Sequence, residues 1–289
     1  MRNPIHLITQ SLNHWLLPMC LILLAWQAHP EYPLVFAGNR DEAYERPSAA
    51  AGFWHGEPHV FGGRDLGRGG TWLGLTRGGR FAAVTNYRDG RATNPAAPRS
   101  RGELTAGFLR GTDEPRSYLE KIAPRGADYA GHTLIVGDFR HWYGFSNRDP
   151  VIRELPAGVH GLSNHLLDTP WPKVSRGKER LSALLPAGET KLVDGLFRVL
   201  ADRTVAPDVE LPDSGVGLKR ERELSPAFIA GERYGTRAST VMLVSSRDEV
   251  VFVERRFGAR GAPLGETAQR LALQPRATLP PGKAAGQTV

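Results

Sequence analysis

The stretch Met19-Cys20-Leu21-Ile22-Leu23-Leu24-Ala25-Trp26 is an apolar run of strand length that holds the only cysteine of the chain. A second apolar run, residues 32 to 37, ends in Gly38-Asn39-Arg40-Asp41-Glu42. Both runs are rich in residues that suit a sheet, and the turn-like Ala28-His29-Pro30-Glu31 separates them, so we predict a β-hairpin. Because the two strands run in opposite directions, the charged residues lie at the same end of the hairpin as the thiol.

The register of this hairpin decides which residues neighbour the thiol. If Trp26 pairs with Tyr32, the antiparallel register places Gly38 opposite Cys20. Residues 39 to 41 then emerge beside the sulfur, which brings a nucleophile, a cation and a carboxylate together. A turn that differs by one or two residues shifts the register but keeps the charged cluster at this end.

Several further motifs accompany the hairpin in a fixed order. They are Met19-Cys20-Leu21-Ile22, Gly38-Asn39-Arg40-Asp41-Glu42, Gly62-Gly63-Arg64-Asp65, Gly69-Gly70-Thr71-Trp72-Leu73-Gly74, Thr85-Asn86-Tyr87-Arg88, Leu162-Ser163-Asn164, Asp168-Thr169-Pro170-Trp171-Pro172-Lys173-Val174 and Tyr234-Gly235-Thr236-Arg237. With these motifs, over about residues 19 to 260, the chain resembles the NRDE family, also called the transport and Golgi organisation protein 2 family. The resemblance implies an α+β fold of the N-terminal nucleophile hydrolase type, a four-layer αββα sandwich.

The resemblance gives the cysteine a chemical role. In the N-terminal nucleophile mechanism the side chain of the first residue attacks a carbonyl while its own α-amine acts as the base. Removal of Met19 would leave the Cys20 thiol, with a pKa of about 8.5, beside an α-amine with a pKa of about 8. Arg40 would stabilise the thiolate, and Asp41 would hold the ammonium or orient the amine. The alternative is that Cys20 is a small buried hydrophobe in a sheet.

The resemblance extends to the choloylglycine hydrolases, whose sites pair an N-terminal cysteine with Arg, Asp, two Asn and a later Arg. On matching motifs, the corresponding catalytic residues are Cys20, Arg40, Asp41, Asn86, Asn164 and Arg237. Asn86 and Asn164 each follow a short apolar stretch, and an asparagine amide can donate an N–H to an oxyanion. An asparagine at a strand end is also common as a turn or cap residue, and an arginine such as Arg237 is common in surface ion pairs.

A glycine-rich segment supplies a second group of candidates. Residues 62 to 70 combine flexible backbone with the guanidinium groups of Arg64 and Arg68, features that can bind an anion. Together with Asn39, these two arginines are the predicted ligand-binding residues. The segment lacks the Lys-Ser/Thr of a P-loop and does not match the dinucleotide fingerprint. A glycine loop that permits close strand packing is the alternative.

Composition limits the classes of function. A single cysteine excludes an internal disulfide framework and a multi-cysteine zinc or iron–sulfur site, and fits a reducing, cytoplasmic compartment. The net charge of +7 comes mostly from arginines scattered over the chain. The sequence contains no recognisable nucleic-acid-binding module, so we predict no specific nucleic-acid binding. The positive charge favours anionic ligands, and contact with a membrane surface is left open.

The nine histidines form no HExxH motif and no Cys-His cluster, so we predict neither a dedicated metal site nor a cofactor. Haem bound through a single axial His or Cys is an alternative. The resemblance adds a role in haem or lipid handling that has been proposed for eukaryotic relatives.

The remaining sequence predicts one domain between two flanking segments. Residues 1–19 form an N-terminal extension or a miscalled start with Met19 as the true initiator, residues 20–257 form the αββα domain, and residues 258–289 form a Gly/Pro/Ala-rich tail. Helices are predicted over 102–110, 115–122, 172–185 and 190–203, and strands over 58–61, 71–76, 80–85, 133–136, 141–145, 239–245 and 249–254. Several strands are continuously apolar, as expected for strands covered on both faces.

These features together predict a cysteine amidohydrolase, a hydrolase of non-peptide C–N bonds that acts on a small amide through a thioester. The alternative is a non-catalytic binding or carrier protein of the same fold, with haem, acyl-CoA or another amphipathic anion as its ligand.

Overall fold

The computed structural model of the chain describes residues 19–92 and 97–274. The predicted extension before Met19 and the last part of the predicted tail lie outside these residues.

Two antiparallel sheets form the centre of the part of the chain that the structure describes. The strands are β1 (Met19–Trp26), β2 (Leu34–Ala43), β3 (Ser48–Trp54), β4 (Glu57–Asp65), β5 (Leu73–Thr76), β6 (Phe81–Asn86), β7 (His132–Gly137), β8 (Trp142–Ser146), β9 (Asp149–Glu154), β10 (Gly158–Leu162), β11 (Tyr234–Val244), β12 (Glu249–Phe257) and β13 (Pro263–Ala272). Sheet A has the order β10-β1-β2-β11-β12-β13, and sheet B runs from β3 to β9 in chain order.

Helices cover the outer face of each sheet. They are α1 (Gly102–Arg110), α2 (Pro115–Ile122), α3 (Pro172–Leu184), α4 (Glu189–Leu200) and α5 (Leu218–Leu224). Helices α3 and α4 pack on sheet A, while α1 and α2 pack on sheet B. The four-layer αββα sandwich predicted from the resemblance is therefore confirmed.

Alternation along the strands separates the cores. In β1 the even-numbered Ile22 and Leu24 point between the two sheets, where they join Phe36 of β2 and Phe61 and Phe81 of sheet B. The odd-numbered Leu21, Leu23 and Ala25 join a second core under α3 and α4. Strands buried on both faces read as continuous apolar runs, which explains the sequence pattern.

The register of the β1–β2 hairpin differs from the prediction by two residues. Trp26 pairs with Leu34, so Cys20 lies opposite Arg40 and not opposite Gly38. The connection is longer because Tyr32 belongs to it: its backbone N–H donates to His29 Nδ1 at 3.1 Å. The prediction that the charged cluster lies at the thiol end of the hairpin is confirmed.

The chain after residue 257 corrects the predicted tail. Residues Pro263–Ala272 form β13, which pairs with β12 along most of its length and closes the edge of sheet A. The stretch is exposed at most positions, so it lacks the apolar pattern by which strands are recognised. The sandwich therefore extends past the predicted boundary at residue 257.

The other predicted elements are present with small shifts of their ends, and β3, β9, β10 and β13 are additional strands. Within the described residues, no helix combines the length and the apolar character that crossing a membrane requires.

Candidate functional site

A pocket of about 600 Å³ lies at the thiol end of β1. It is lined by residues from both sheets and from the start of α1. Of the predicted site residues, those that line it are Cys20, Arg40, Asp41, Arg64, Arg68, Asn86 and Arg237. Residues that the sequence placed far apart, in five separate motifs, therefore share one cavity.

Cys20 reaches this pocket because it continues the even-numbered face of β1 beyond Ile22. Its side chain is 5% exposed, and Arg40 is its partner on β2. Burial, followed by the charge of Asp41, raises the pKa of the thiol from its ordinary 9.0 to about 12, while the Arg40 guanidinium lowers it. With Met19 in place, the sulfur is therefore a thiol at neutral pH.

The backbone of Cys20 is held from the loop that follows β10. Its N–H donates to Asn164 Oδ1 at 3.2 Å, and its carbonyl accepts from Ser163 Oγ at 3.0 Å. Asn164 has a φ of 55°, a left-handed conformation that asparagine tolerates better than most residues. This conformation directs the amide group of Asn164 at the main-chain nitrogen of Cys20.

The two predicted oxyanion donors have different positions. Asn86 lines the pocket, whereas Asn164 is fully buried outside it and donates its amide N–H to Asn86 O at 3.2 Å. The position predicted for an oxyanion donor is therefore found for Asn86 but not for Asn164, which lies outside the pocket with Oδ1 on the Cys20 N–H and one amide N–H on Asn86 O. The structure places Asn164 Oδ1 at the main-chain nitrogen of Cys20.

Asp41 lies on the opposite face of β2 from Arg40. It pairs with Met19, accepts from Thr236 Oγ1 at 2.7 Å and is fully buried. Burial raises the pKa of Asp41 from 3.8 to about 6 against the charges of Lys173 and Arg40. The charge of Asp41 also acts on the sulfur, where it raises the pKa of the Cys20 thiol.

Lys173 is a buried cation near Asp41 that does not line the pocket and that the sequence did not predict as a site residue. Its side chain is buried, its Nζ donates to Leu224 O at 3.0 Å, and burial lowers its pKa to about 8 while Asp41 raises it. A cation in the first turn of a helix opposes the helix dipole. The unfavourable position of a lysine at the start of α3, within a recognised motif, is the sequence signal that could have identified Lys173.

Asn39 does not lie where the sequence predicted. It points away from the pocket, under the helices, where its amide donates to Leu200 O and Ala227 O and accepts from Ser239 Oγ. These bonds use both ends of the amide, so the prediction that Asn39 binds a ligand is wrong. Its neighbour Arg40 faces the pocket because alternate residues of a strand point to opposite faces.

The arginines of the pocket differ in how they are bound. Arg237 sits in a bulge of β11 and donates to the carbonyls of Ala43 and Arg46. Arg101, which the sequence analysis missed, donates to Gly131 O at 3.1 Å, and burial lowers its pKa to about 10. No sequence motif marks Arg101, because it reaches the pocket only through the packing of α1 on sheet B.

Asp168 fastens the loop that carries Asn164. Its carboxylate accepts from His160 Nδ1 at 2.7 Å, Lys178 Nζ at 2.5 Å and the Gly161 N–H at 2.9 Å. These bonds, led by the one from His160, outweigh the effect of burial and lower the pKa of Asp168 to about 2. The motif around Asp168 is thus a support for the residue that binds the nitrogen of Cys20.

We predict that Asp168→Asn lowers the free energy of unfolding by about 2 kcal/mol at pH 7, since charge-assisted bonds become neutral ones. The folded-state pKa lies below the unfolded one, so this contribution is present above pH 4 and is lost as the pH falls towards 2. Urea unfolding from pH 7 down to pH 2 measures it. Asp208→Asn, at an exposed pair with Arg222, is the control and should change stability by less than about 0.5 kcal/mol. A cost for Asp168→Asn that is equal at pH 7 and pH 2 would contradict the assignment.

A family model described as Transport and Golgi organisation 2 matches residues 19–259. The chain belongs to the Transport and Golgi organisation 2 family. The homolog of Transport and Golgi organization protein 2 from Bos taurus is 36% identical over 259 residues, with 82% of this chain and 92% of that protein covered. The Homo sapiens homolog is 34% identical with the same coverage, and the Drosophila melanogaster protein is 30% identical over 264 residues, covering 82% of this chain and 91% of that protein. The predicted family is confirmed.

This member of the Transport and Golgi organisation 2 family is similar to solved structures of two hydrolytic enzymes. Penicillin V acylase from Agrobacterium tumefaciens aligns with a TM-score of 0.42 and 11% identity, over 81% of this chain and 82% of that chain. A variant of the conjugated bile acid hydrolase from Clostridium perfringens aligns with a TM-score of 0.45 and 8% identity, over 90% of this chain and 100% of that chain.

Proposed function

We propose that this protein is a cysteine amidohydrolase in which Cys20, once it is the first residue, attacks the carbonyl of a small amide. The observation that carries the proposal is the pairing of Cys20 with Arg40 at the pocket, with the nitrogen of Cys20 bound to Asn164 Oδ1 at 3.2 Å. The single cysteine leads us to expect the reaction in a reducing compartment, the cytoplasm.

The proposed reaction has two halves. The α-amine of Cys20 takes the thiol proton, the sulfur attacks the amide carbon, and the carbonyl electron pair moves onto oxygen, near Arg40 and Asn86. Collapse of this intermediate breaks the C–N bond, and the ammonium returns the proton to the leaving amine. Water, deprotonated by the same amine, then attacks the thioester and regenerates the thiol.

Met19 decides whether this chemistry can run. While Met19 is attached, the nitrogen of Cys20 belongs to an amide and has no basic electron pair. The Met19 side chain is fully buried with Leu224, Ile229 and Tyr234. Asp41, its partner on β2, is then the carboxylate beside the new ammonium group after Met19 is removed.

The test compares two proteins released in vitro from a cleavable fusion, one beginning at Cys20 and one at Met19. We expect the Cys20 form to release p-nitroaniline from the acetyl, hexanoyl or phenylacetyl p-nitroanilide at least about a hundredfold faster, because only it has a general base. Intact mass establishes each N-terminus, and thermal unfolding establishes that both proteins are folded. Equal rates, or no release from any of the three compounds by the Cys20 form, would overturn the proposal.

One observation favours the second candidate function, a carrier of amphipathic anions. Arginines line the pocket, and the thiol beside them has a pKa raised to about 12 by burial, which suits binding better than attack. Titrations of both protein forms with haemin, followed by absorbance, and with palmitoyl-CoA, followed by calorimetry, test it. Tight binding that is equal in the two forms, without turnover, would establish the carrier function in place of the hydrolase.

A further inference from the structure

A row of paired residues crosses four strands of sheet A at the level of the thiol. Cys20 pairs with Arg40, Arg40 pairs with Ala238, and Ala238 pairs with Arg256. Residues directly opposite each other in antiparallel strands project from the same face of a sheet. All four therefore project into the pocket that they line.

The spacing of this row leaves a space between two cations. Neighbouring strands lie about 4.8 Å apart, which places the Cα atom of Arg256 about 10 Å from that of Arg40 and about 14 Å from that of Cys20. Ala238, between the two arginines, has a side chain of a single carbon. A group seated over Ala238 thus lies between two arginine residues of neighbouring strands, of which Arg40 also has Glu42 at 3.7 Å.

Arg256 has unused hydrogen-bonding capacity. Its Nε is buried and has no hydrogen-bond partner, and no carboxylate of the described residues forms a salt bridge with it. Its neighbour Arg255, on the opposite face, pairs with Glu266 at 2.8 Å and lies over Phe197. Gly265 of β13 lies beside Arg256, where an added Cβ would be 3.0 Å from Nη2.

The balance of charge in the pocket favours the same class of ligand. Among the described residues, eight arginines and four carboxylic side chains line it. One of the four, Glu254, lies two residues from Arg256 on β12; burial raises its pKa, while the Ala51 N–H and the charges of Arg256 and Arg40 lower it. A cleft with an excess of one charge attracts ligands of the opposite charge.

We propose that Arg256 and Arg40 together bind an oxyanion group above Ala238, so that the pocket takes amides that carry a carboxylate, sulfonate or phosphate roughly 10 Å from the carbonyl that Cys20 attacks. The claim about the substrate rests on the proposed amidohydrolase function. The claim that the pocket binds an anion rests only on the row of paired residues.

The experiment separates binding from turnover by using the Cys20→Ala protein. Calorimetry measures the binding of suberic acid monoanilide and of its methyl ester, which has the same length without the charge. We expect the monoanilide to bind at least about tenfold more tightly than the ester. Arg256→Met should weaken the monoanilide by about ten- to hundredfold and leave the ester within about twofold. Arg255→Met, the matched control on the opposite face of β12, should change neither.

Equal binding of the two compounds, binding of neither, or equal losses in Arg256→Met and Arg255→Met would overturn the anion site. If Arg256→Met does not fold, Ala238→Leu fills the space between the two arginines and should weaken the monoanilide to the same degree. Aniline release by the unsubstituted Cys20 form is measured separately. Binding that depends on Arg256 without any aniline release would leave the anion site standing while removing this amide as a substrate.

Discussion

In the form that begins at residue 20, replacement of Cys20 by alanine is expected to lower amide hydrolysis about a millionfold, to the background rate. The reason is that no other side chain of the protein can form the thioester. The side chain lies at the edge of the pocket, so its loss should cost only about 1 kcal/mol of stability. Release of p-nitroaniline measures the first effect, and urea unfolding measures the second.

Ile22→Val is the control for Cys20→Ala, because Ile22 lies two residues further along the same face of β1 but inside the core between the sheets. It should destabilise the protein by about 1 kcal/mol and leave the rate unchanged. Residual hydrolysis by Cys20→Ala within tenfold of the parent rate would exclude Cys20 as the nucleophile.

The hairpin around Cys20 shows how far the sequence determines the site. Strand identity and the end at which the charges emerge follow from apolar runs and from antiparallel pairing alone. The register cannot be predicted in this way, because it depends on whether Tyr32 belongs to the strand or to the turn. That choice rests on hydrogen bonds to His29 Nδ1, which no strand pattern predicts.

A shift of two residues keeps every side chain on its face, because strands alternate with a period of two. Arg40 and Cys20 therefore line the same pocket despite the wrong register. Asn39 and Asp41 point to the other face of β2, where Asn39 binds backbone carbonyls and Asp41 binds Thr236. A motif read as one cluster in the sequence is thus divided between two layers of the fold.

The sequence did not predict the residues that reach the pocket only through the packing of the fold. Arg101 immediately precedes α1, and Arg256 joins the pocket because β12 lies three strands from β1 in sheet A. Strand order is set by the whole fold and by long connections, which local patterns do not encode. Strand β13 was missed for a different reason, since most of its side chains are exposed.

Asp41 and Lys173 influence each other through their charges, without a hydrogen bond or salt bridge between them, and this coupling joins stability to the proposed chemistry. Both side chains are buried, and each shifts the pKa of the other towards the charged form, against the stronger effect of burial. Removing Lys173 raises the pKa of Asp41 further, and protonation of Asp41 then limits the cost at pH 7.5 to about 2 kcal/mol, for the roughly 1.5 pH units above its pKa of about 6. Loss of the bond to Leu224 O adds about 1 kcal/mol. We therefore expect Lys173→Met to lower the free energy of unfolding by about 3 kcal/mol at pH 7.5.

The cost of Lys173→Met should depend on pH, and the sign follows from Asp41. Its folded-state pKa of about 6 exceeds the unfolded value of 3.8, so the folded protein holds this proton more tightly and loses stability as the pH rises from about 4 to 6. Without Lys173 the pKa of Asp41 rises further, and the loss continues above pH 6. At pH 4 the carboxyl is neutral in the folded protein, so the cost of Lys173→Met should be smallest there. Urea unfolding at pH 4, 6 and 7.5 measures this trend.

The double variant Asp41→Asn/Lys173→Met supplies the decisive comparison, because it removes both charges together. It should recover at least about 2 kcal/mol of the loss at pH 7.5 relative to Lys173→Met, and its stability should change little between pH 4 and 6 from this site. In the form that begins at Cys20, the double variant should hydrolyse amides slowly or not at all, because no carboxylate would neighbour the α-amine of Cys20. Additive losses in the double variant, or a cost of Lys173→Met that is the same at pH 4 and 7.5, would show that the two side chains do not act as a pair.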